Sequence, residues 1–124
     1  NDVSLFISEE WNRVCSTELV QGVVIARKSF VNEHPEAIEQ FLWEYEKSSA
    51  FVNENIDEAA KLIVDVGILG NVEIAKKAIP NCNISFSKGE AMQKAVEGML
   101  TVLFEANPKS IGGKLPDKDF YYGI

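Results

Sequence analysis

Leu19-Val20-Gln21-Gly22-Val23-Val24-Ile25-Ala26 is the stretch on which the fold class depends. Val23 to Ala26 is apolar without alternation, the pattern of a strand covered on both faces in the middle of a sheet. Arg27-Lys28 bounds it. Val3 to Ile7, ending at Ser8, reads as a second short strand, and Asn83 to Phe86 as a brief strand or an extended link. One central strand with one or two short ones cannot cover both faces, so the pattern asks for sheet neighbours from elsewhere.

Outward from this stretch the chain reads as helix. Ser8 is placed to cap a turn through Glu9, Glu10 and Trp11, with carboxylates near the positive end of the dipole. Pro35 suits a first helical position, and Ile38, Phe41, Leu42, Tyr45 and Val52 recur at helical spacing to about residue 53. Asn55 with Glu58 resembles a capping box for a helix over 56–66, carrying Ala59, Leu62, Ile63 and Val66, with Gly67 as its stop. Asn71 opens a third helix over 71–79, with Val72, Ala75, Ala78 and Ile79 inward and Pro80 at its end. Ser87 and Glu90 form the box of a fourth, 88–106. There Met92, Ala95, Val96, Met99, Leu100, Leu103 and Phe104 make an apolar stripe, Gly98 admits a close neighbour, and Asn107-Pro108 stops the helix. The tail holds Gly112-Gly113, Pro116 and the rings Phe120-Tyr121-Tyr122, through which it is expected to dock. The fold class is α+β, mainly helical: about four helices beside a minimal sheet, in one domain over 1–124.

The 124 residues are 46% hydrophobic and 25% charged, values of a folded domain. Twelve basic against 19 acidic residues give a net charge of -7, with the bases scattered, which argues against a nucleic-acid partner. No apolar run approaches the roughly 18 residues of a membrane span. The first residue is Asn1, and the natural N-terminus, with any secretion signal, is expected upstream of it. Cys15 and Cys82 read as two buried thiols; one disulfide is permitted, and spacing alone does not show it.

Chemistry-bearing patterns are sparse. His34, the single histidine, sits before Pro35 at a helix entrance, where a cap explains it better than a triad or metal site. Neither cysteine belongs to a C-x-x-C pair, and Gly112-Gly113-Lys114 lacks the spacing of a phosphate loop. Glu9-Glu10, Glu44-Glu46 and Asp57-Glu58 fit solvated or capping positions. Trp43 lies off the apolar stripe of its helix, and Trp11 either lines a ligand cleft or covers the sheet. No metal and no cofactor is expected.

Several segments form an ordered series: Glu10-Trp11-Asn12-Arg13-Val14; Glu18 through Lys28; His34-Pro35-Glu36-Ala37 with Phe41-Leu42 and Tyr45; and Val52-Asn53-Glu54-Asn55 with Glu58-Ala59-Ala60. It continues with Ala75-Lys76-Lys77-Ala78-Ile79-Pro80, Cys82-Asn83-Ile84, Leu103-Phe104, Asn107-Pro108-Lys109, Gly112 to Pro116 and Asp119-Phe120-Tyr121-Tyr122. Over nearly the whole chain, this series resembles the C-terminal portion of the nitrate/sulfonate/taurine-type solute-binding proteins of ABC importers, a group that includes carriers of thiamine pyrimidine precursors. The resemblance implies a type II periplasmic-binding-protein fold with two lobes around a ligand. This chain would be the C-terminal part of one lobe, and the N-terminal half would supply the sheet neighbours of 19–26.

The resemblance also implies an extracytoplasmic carrier, periplasmic or a lipoprotein, that is not an enzyme and hands its solute to permease subunits. The turn entering the return strand, here Leu19-Val20-Gln21-Gly22, would meet the ligand: Gln21 through its amide and Gly22 through its backbone, with Trp11 a further candidate. Gln21 as a strand-end polar residue and Gly22 as a bulge is an equal alternative. Two other functions compete: a freestanding helical protein-interaction module, and an enzyme related to thiamine-pyrimidine synthesis, which would need a better-placed histidine than His34. With Val23, Val24 and Ile25 lacking neighbours, the chain alone is expected to self-associate as a homodimer through 3–7 and 19–26.

Overall fold

The computed structural model describes residues 5–124. They form six α-helices and, among the described residues, no strand: α1 Ile7–Val14, α2 Lys28–Glu33, α3 Pro35–Glu54, α4 Ile56–Asp65, α5 Val72–Ala78 and α6 Gly89–Ala106, with 3-10 turns at Ile79–Asn81, Pro108–Ile111 and Lys118–Phe120. The mainly helical expectation holds, and α3 to α6 fall within one or two residues of their expected bounds. The minimal sheet does not form. Leu19 to Ala26 has no regular structure and is followed directly by α2, because a strand exists only where a second segment offers its backbone. Val3 and Ser4 of the other expected strand lie outside the described residues, and Ile7 opens α1 instead. Asn83 to Phe86 is an irregular link.

Three caps differ from expectation. Phe6, not Ser8, occupies the cap position of α1. Asn55 stands at the cap of α4, yet its side chain donates back to the Phe51 carbonyl at 3.4 Å and caps nothing. Lys88 precedes α6, so Ser87 falls one residue too early for a box with Glu90.

Two groups of residues pack as separate compact units, Ala26–Phe86 and the described residues up to Ile25 with Ser87–Ile124. In the first unit α4 packs on α5 through small side chains. Ala59, Ala60, Ala75 and Ile79 are buried, surrounded by Phe51, Val52, Ile56, Ile63 and Val72. Alanines at the crossing let the two helix backbones close without a void. Asn71 accepts the Ile74 amide at 3.1 Å and starts α5 as expected. Gly67, at φ +77°, ends α4: its amide reaches the Val64 carbonyl at 2.9 Å and the Ile68 amide reaches Ile63 at 3.0 Å, the paired bonds of a Schellman motif. Asn53 fastens the link after α5 to α3, donating 2.9 Å bonds to the carbonyls of Ser49 and Ile84. Phe86 then meets Tyr45 edge-on, with ring centres 5.7 Å apart.

In the second unit α6 carries its stripe half-buried along its whole length, with no side chain fully enclosed. Asn107 leaves helical geometry at φ -160°, ψ 100°, as the residue before Pro108 must, and its side chain caps the next turn by accepting the Lys109 amide at 3.2 Å. Gly112, at φ +82°, closes that turn in a conformation costly for other residues. Of the tail rings only Tyr121 is buried, while Phe120 stands perpendicular to it and exposed, so the tail docks through one ring rather than three.

Candidate functional site

Three residues, Trp11, Thr17 and Gly98, fix the turn that leads into the stretch singled out by sequence. Trp11, on the last turns of α1, is half-buried, and its indole N–H donates to the Thr17 carbonyl at 2.7 Å. That bond folds Cys15–Thr17 back against α1. Thr17 in turn sits over the missing side chain of Gly98, so α6 holds the same turn from the other side. The close neighbour expected at Gly98 is therefore Thr17.

Beyond this anchored turn the chain opens. Leu19 and Val20 are half-exposed and every residue from Gln21 to Arg27 is exposed, with Val23 at 60%, Val24 at 52% and Ile25 at 83%. No amide or carbonyl of residues 18–26 bonds to another backbone group of the described residues. No residue from Cys15 to Arg27 has a positive φ, Gly22 included, so the segment is free to adopt strand geometry. No described residue crowds Gly22: a Cβ built on it would meet no protein atom within 4 Å. Gln21 makes no side-chain hydrogen bond to a described residue and lies in solvent beside it. The structure thus ties Trp11 to Thr17 and leaves Gln21 and Gly22 on the open run.

Elsewhere the chemistry is thin. Glu54, Asn55, Ile56, Asp57 and Glu58 line a shallow open depression where α3 meets α4. Asp57 is not free there: Lys76 bonds its carboxylate at 2.8 Å and holds its pKa below the usual carboxylate value, while Asp57 raises that of Lys76. Among the described residues no group of three His, Cys, Asp or Glu side chains is placed to hold a metal ion. His34 joins α2 to α3, with its ring 4.8 Å from Phe30. Cys15 is half-buried and Cys82 exposed, both as free thiols, against the expectation of two buried ones. Cys82 ends the turn after α5, where its amide bonds Ile79 and its side chain faces outward. Trp43 is exposed under the Lys47 ammonium, 3.8 Å from its ring centre.

Fold and site together define a mainly helical chain whose most apolar stretch lies open in solvent. No family model, no curated protein and no solved structure matches the chain.

Proposed function

We propose that the chain is the C-terminal part of one lobe of an extracytoplasmic solute-binding protein, periplasmic or lipid-anchored, which delivers a small solute to the permease of an ABC importer. The single observation that carries this reading is the open run Val23 to Ala26, apolar on both alternating faces and without backbone partners among the described residues. Such a run is what a central strand looks like when its sheet neighbours lie in another part of the protein. Helices α3 to α5 of the unit Ala26–Phe86 would then belong to the helical covering of an α/β lobe. Gln21 and Gly22 would meet the solute at the mouth of the strand, Gln21 through its amide and Gly22 through its N–H. Trp11 would contribute only its ring face, because its N–H is already committed to Thr17. No helix of the described residues is long and apolar enough to cross a membrane.

Calorimetry on the protein in its full-length context, titrated with nitrate, alkanesulfonates, taurine and pyrimidines, tests the proposal. One of these classes should bind saturably at one site, weaken on Gln21→Ala, and be recovered unchanged. Chemical conversion, or no binding by any class, overturns it.

A second reading, a helical protein-interaction module, draws on the exposed Phe41, Trp43, Leu62 and Val66 of the unit Ala26–Phe86. Under it, substitution of Phe41 and Trp43 abolishes the activity, and Gln21→Ala is silent.

A further inference from the structure

Proteolysis makes a demand on backbone that most of a folded chain fails to meet. An endopeptidase draws several extended residues on both sides of the scissile bond into its cleft and holds them by main-chain bonds, as it would an added strand. Helices and anchored turns are refused until they open. The run Val20 to Ala26 meets the demand as it stands. Gln21 to Ala26 is exposed and Val20 half-exposed, no backbone group there is bonded among the described residues, and no φ is positive. Nothing crowds Gly22, so its backbone can lie close against a second chain.

Bonds fix both limits of the run. On the N-terminal side the Thr17 carbonyl accepts the Trp11 indole N–H. On the C-terminal side the Arg27 carbonyl accepts the Val31 amide at 3.0 Å, and Lys28 opens α2. A cut after Arg27 would first need that turn of α2 to unwind, so the basic pair is a poorer site than its charge suggests. The side chains of the free interval then decide the class of enzyme. Val23, Val24 and Ile25 suit a small apolar specificity pocket of the elastase kind, and not one built for a basic or aromatic side chain. Other exposed aliphatic residues fail on backbone: Val14 and Ile74 lie in helices, and the Ile84 carbonyl is held by Asn53, next to Asn83 at φ 49°. We propose that Val23–Val24 and Val24–Ile25 are the bonds at which a serine endopeptidase of small aliphatic specificity cuts this chain in its folded state. Hydrolysis of either bond consumes one water, leaving a carboxylate on the valine and an ammonium on the residue after it. The inference goes beyond the solute reading and rests only on the open run; solute binding, found or not found, leaves it standing.

Brief treatment of the 124-residue chain with a low proportion of elastase should give 1–23 with 24–124, or 1–24 with 25–124, by mass spectrometry before any other cut. Val23→Asp with Val24→Asp should slow the loss of intact chain at least about tenfold, since cuts after Val20 or Ala26 would draw in Thr17 or α2. Helical content by circular dichroism should not change, as the altered segment is not helical. Trypsin on Val23→Arg supplies a comparison within one molecule: the cut after position 23 should outpace that after Arg27 at least about tenfold. Full resistance to elastase, or a first cut anywhere outside residues 23–25, would overturn the proposal. So would loss of the double aspartate variant at the parent rate, or trypsin cutting as fast after Arg27 as after position 23.

Discussion

Thr17 occupies the place where a side chain at position 98 would begin: a Cβ on Gly98 would lie 2.6 Å from Thr17 Cγ2 and 2.8 Å from its Cβ. Atoms do not approach that closely, so the glycine is set by packing rather than by backbone conformation. Gly98→Ala gains about 1 kcal/mol of helix propensity and should lose more to the clash, for a net destabilisation of roughly 1–2 kcal/mol. With Thr17→Gly the same alanine should become stabilising. A double-mutant cycle in urea checks this through the sign reversal.

Asn71 supplies the one side-chain cap on α5, a helix of seven residues. Asn71→Ala should cost about 1 kcal/mol, and Asn71→Asp should cost little, because a carboxylate caps as well and meets the positive end of the dipole. Chemical denaturation of the two variants measures the difference.

The Asp57–Lys76 pair bridges α4 and α5 at the surface. Its pKa shifts run in opposite directions, both caused first by the hydrogen bond between the two groups. Asp57 is depressed, so its contribution is present above the normal carboxylate pKa and lost as acid protonates it. Lys76 is raised, so its contribution is present below the normal lysine pKa and lost as the pH climbs through the raised value. Stability should therefore respond to this pair only at the two extremes, and the response should fade in high salt. NMR titration of the Asp57 carboxyl carbon, with and without Lys76→Met, tests the direction: removing the ammonium should raise the Asp57 pKa.

Tyr121 is buried, and its hydroxyl has no hydrogen-bond partner. Burial, with the Glu97 carboxylate second, pushes its pKa above the usual tyrosine value. The unfolded chain therefore releases this proton first, and stability present below the usual tyrosine pKa falls as the pH rises past it. Tyr121→Phe should raise stability at neutral pH by about 1 kcal/mol, since it removes an unsatisfied buried group, and should reduce the alkaline loss. Thermal melts at neutral and alkaline pH measure both effects.

Helices α3 to α6 were legible because their signals are local. Pro35, Gly67 and Pro108 mark the edges, and the spacing of Ile38 to Val52 and of Met92 to Phe104 marks the faces. Helix α2 was not, as Lys28-Ser29-Phe30-Val31-Asn32-Glu33 has neither cap nor stripe. The run Leu19 to Ala26 shows the limit most clearly. Its composition reports a preference for extended backbone, while a strand also requires a second backbone at hydrogen-bonding distance, which no local pattern encodes. Of the candidate site, Trp11 could be noticed as an aromatic in a turn. Its partner, the Thr17 carbonyl, carries no sequence signature at all.

The two tryptophans fall one to each compact unit, Trp11 with α1 and Trp43 on α3. One indole is half-enclosed and hydrogen-bonded, the other exposed beneath an ammonium group, so their emission spectra differ in colour and in quenching by iodide. Trp11→Phe and Trp43→Phe each leave a single native fluorophore, turning the chain into a pair of self-labelled optical reporters. Followed through a denaturant ramp, the two traces reveal whether the units melt as one cooperative block or in succession.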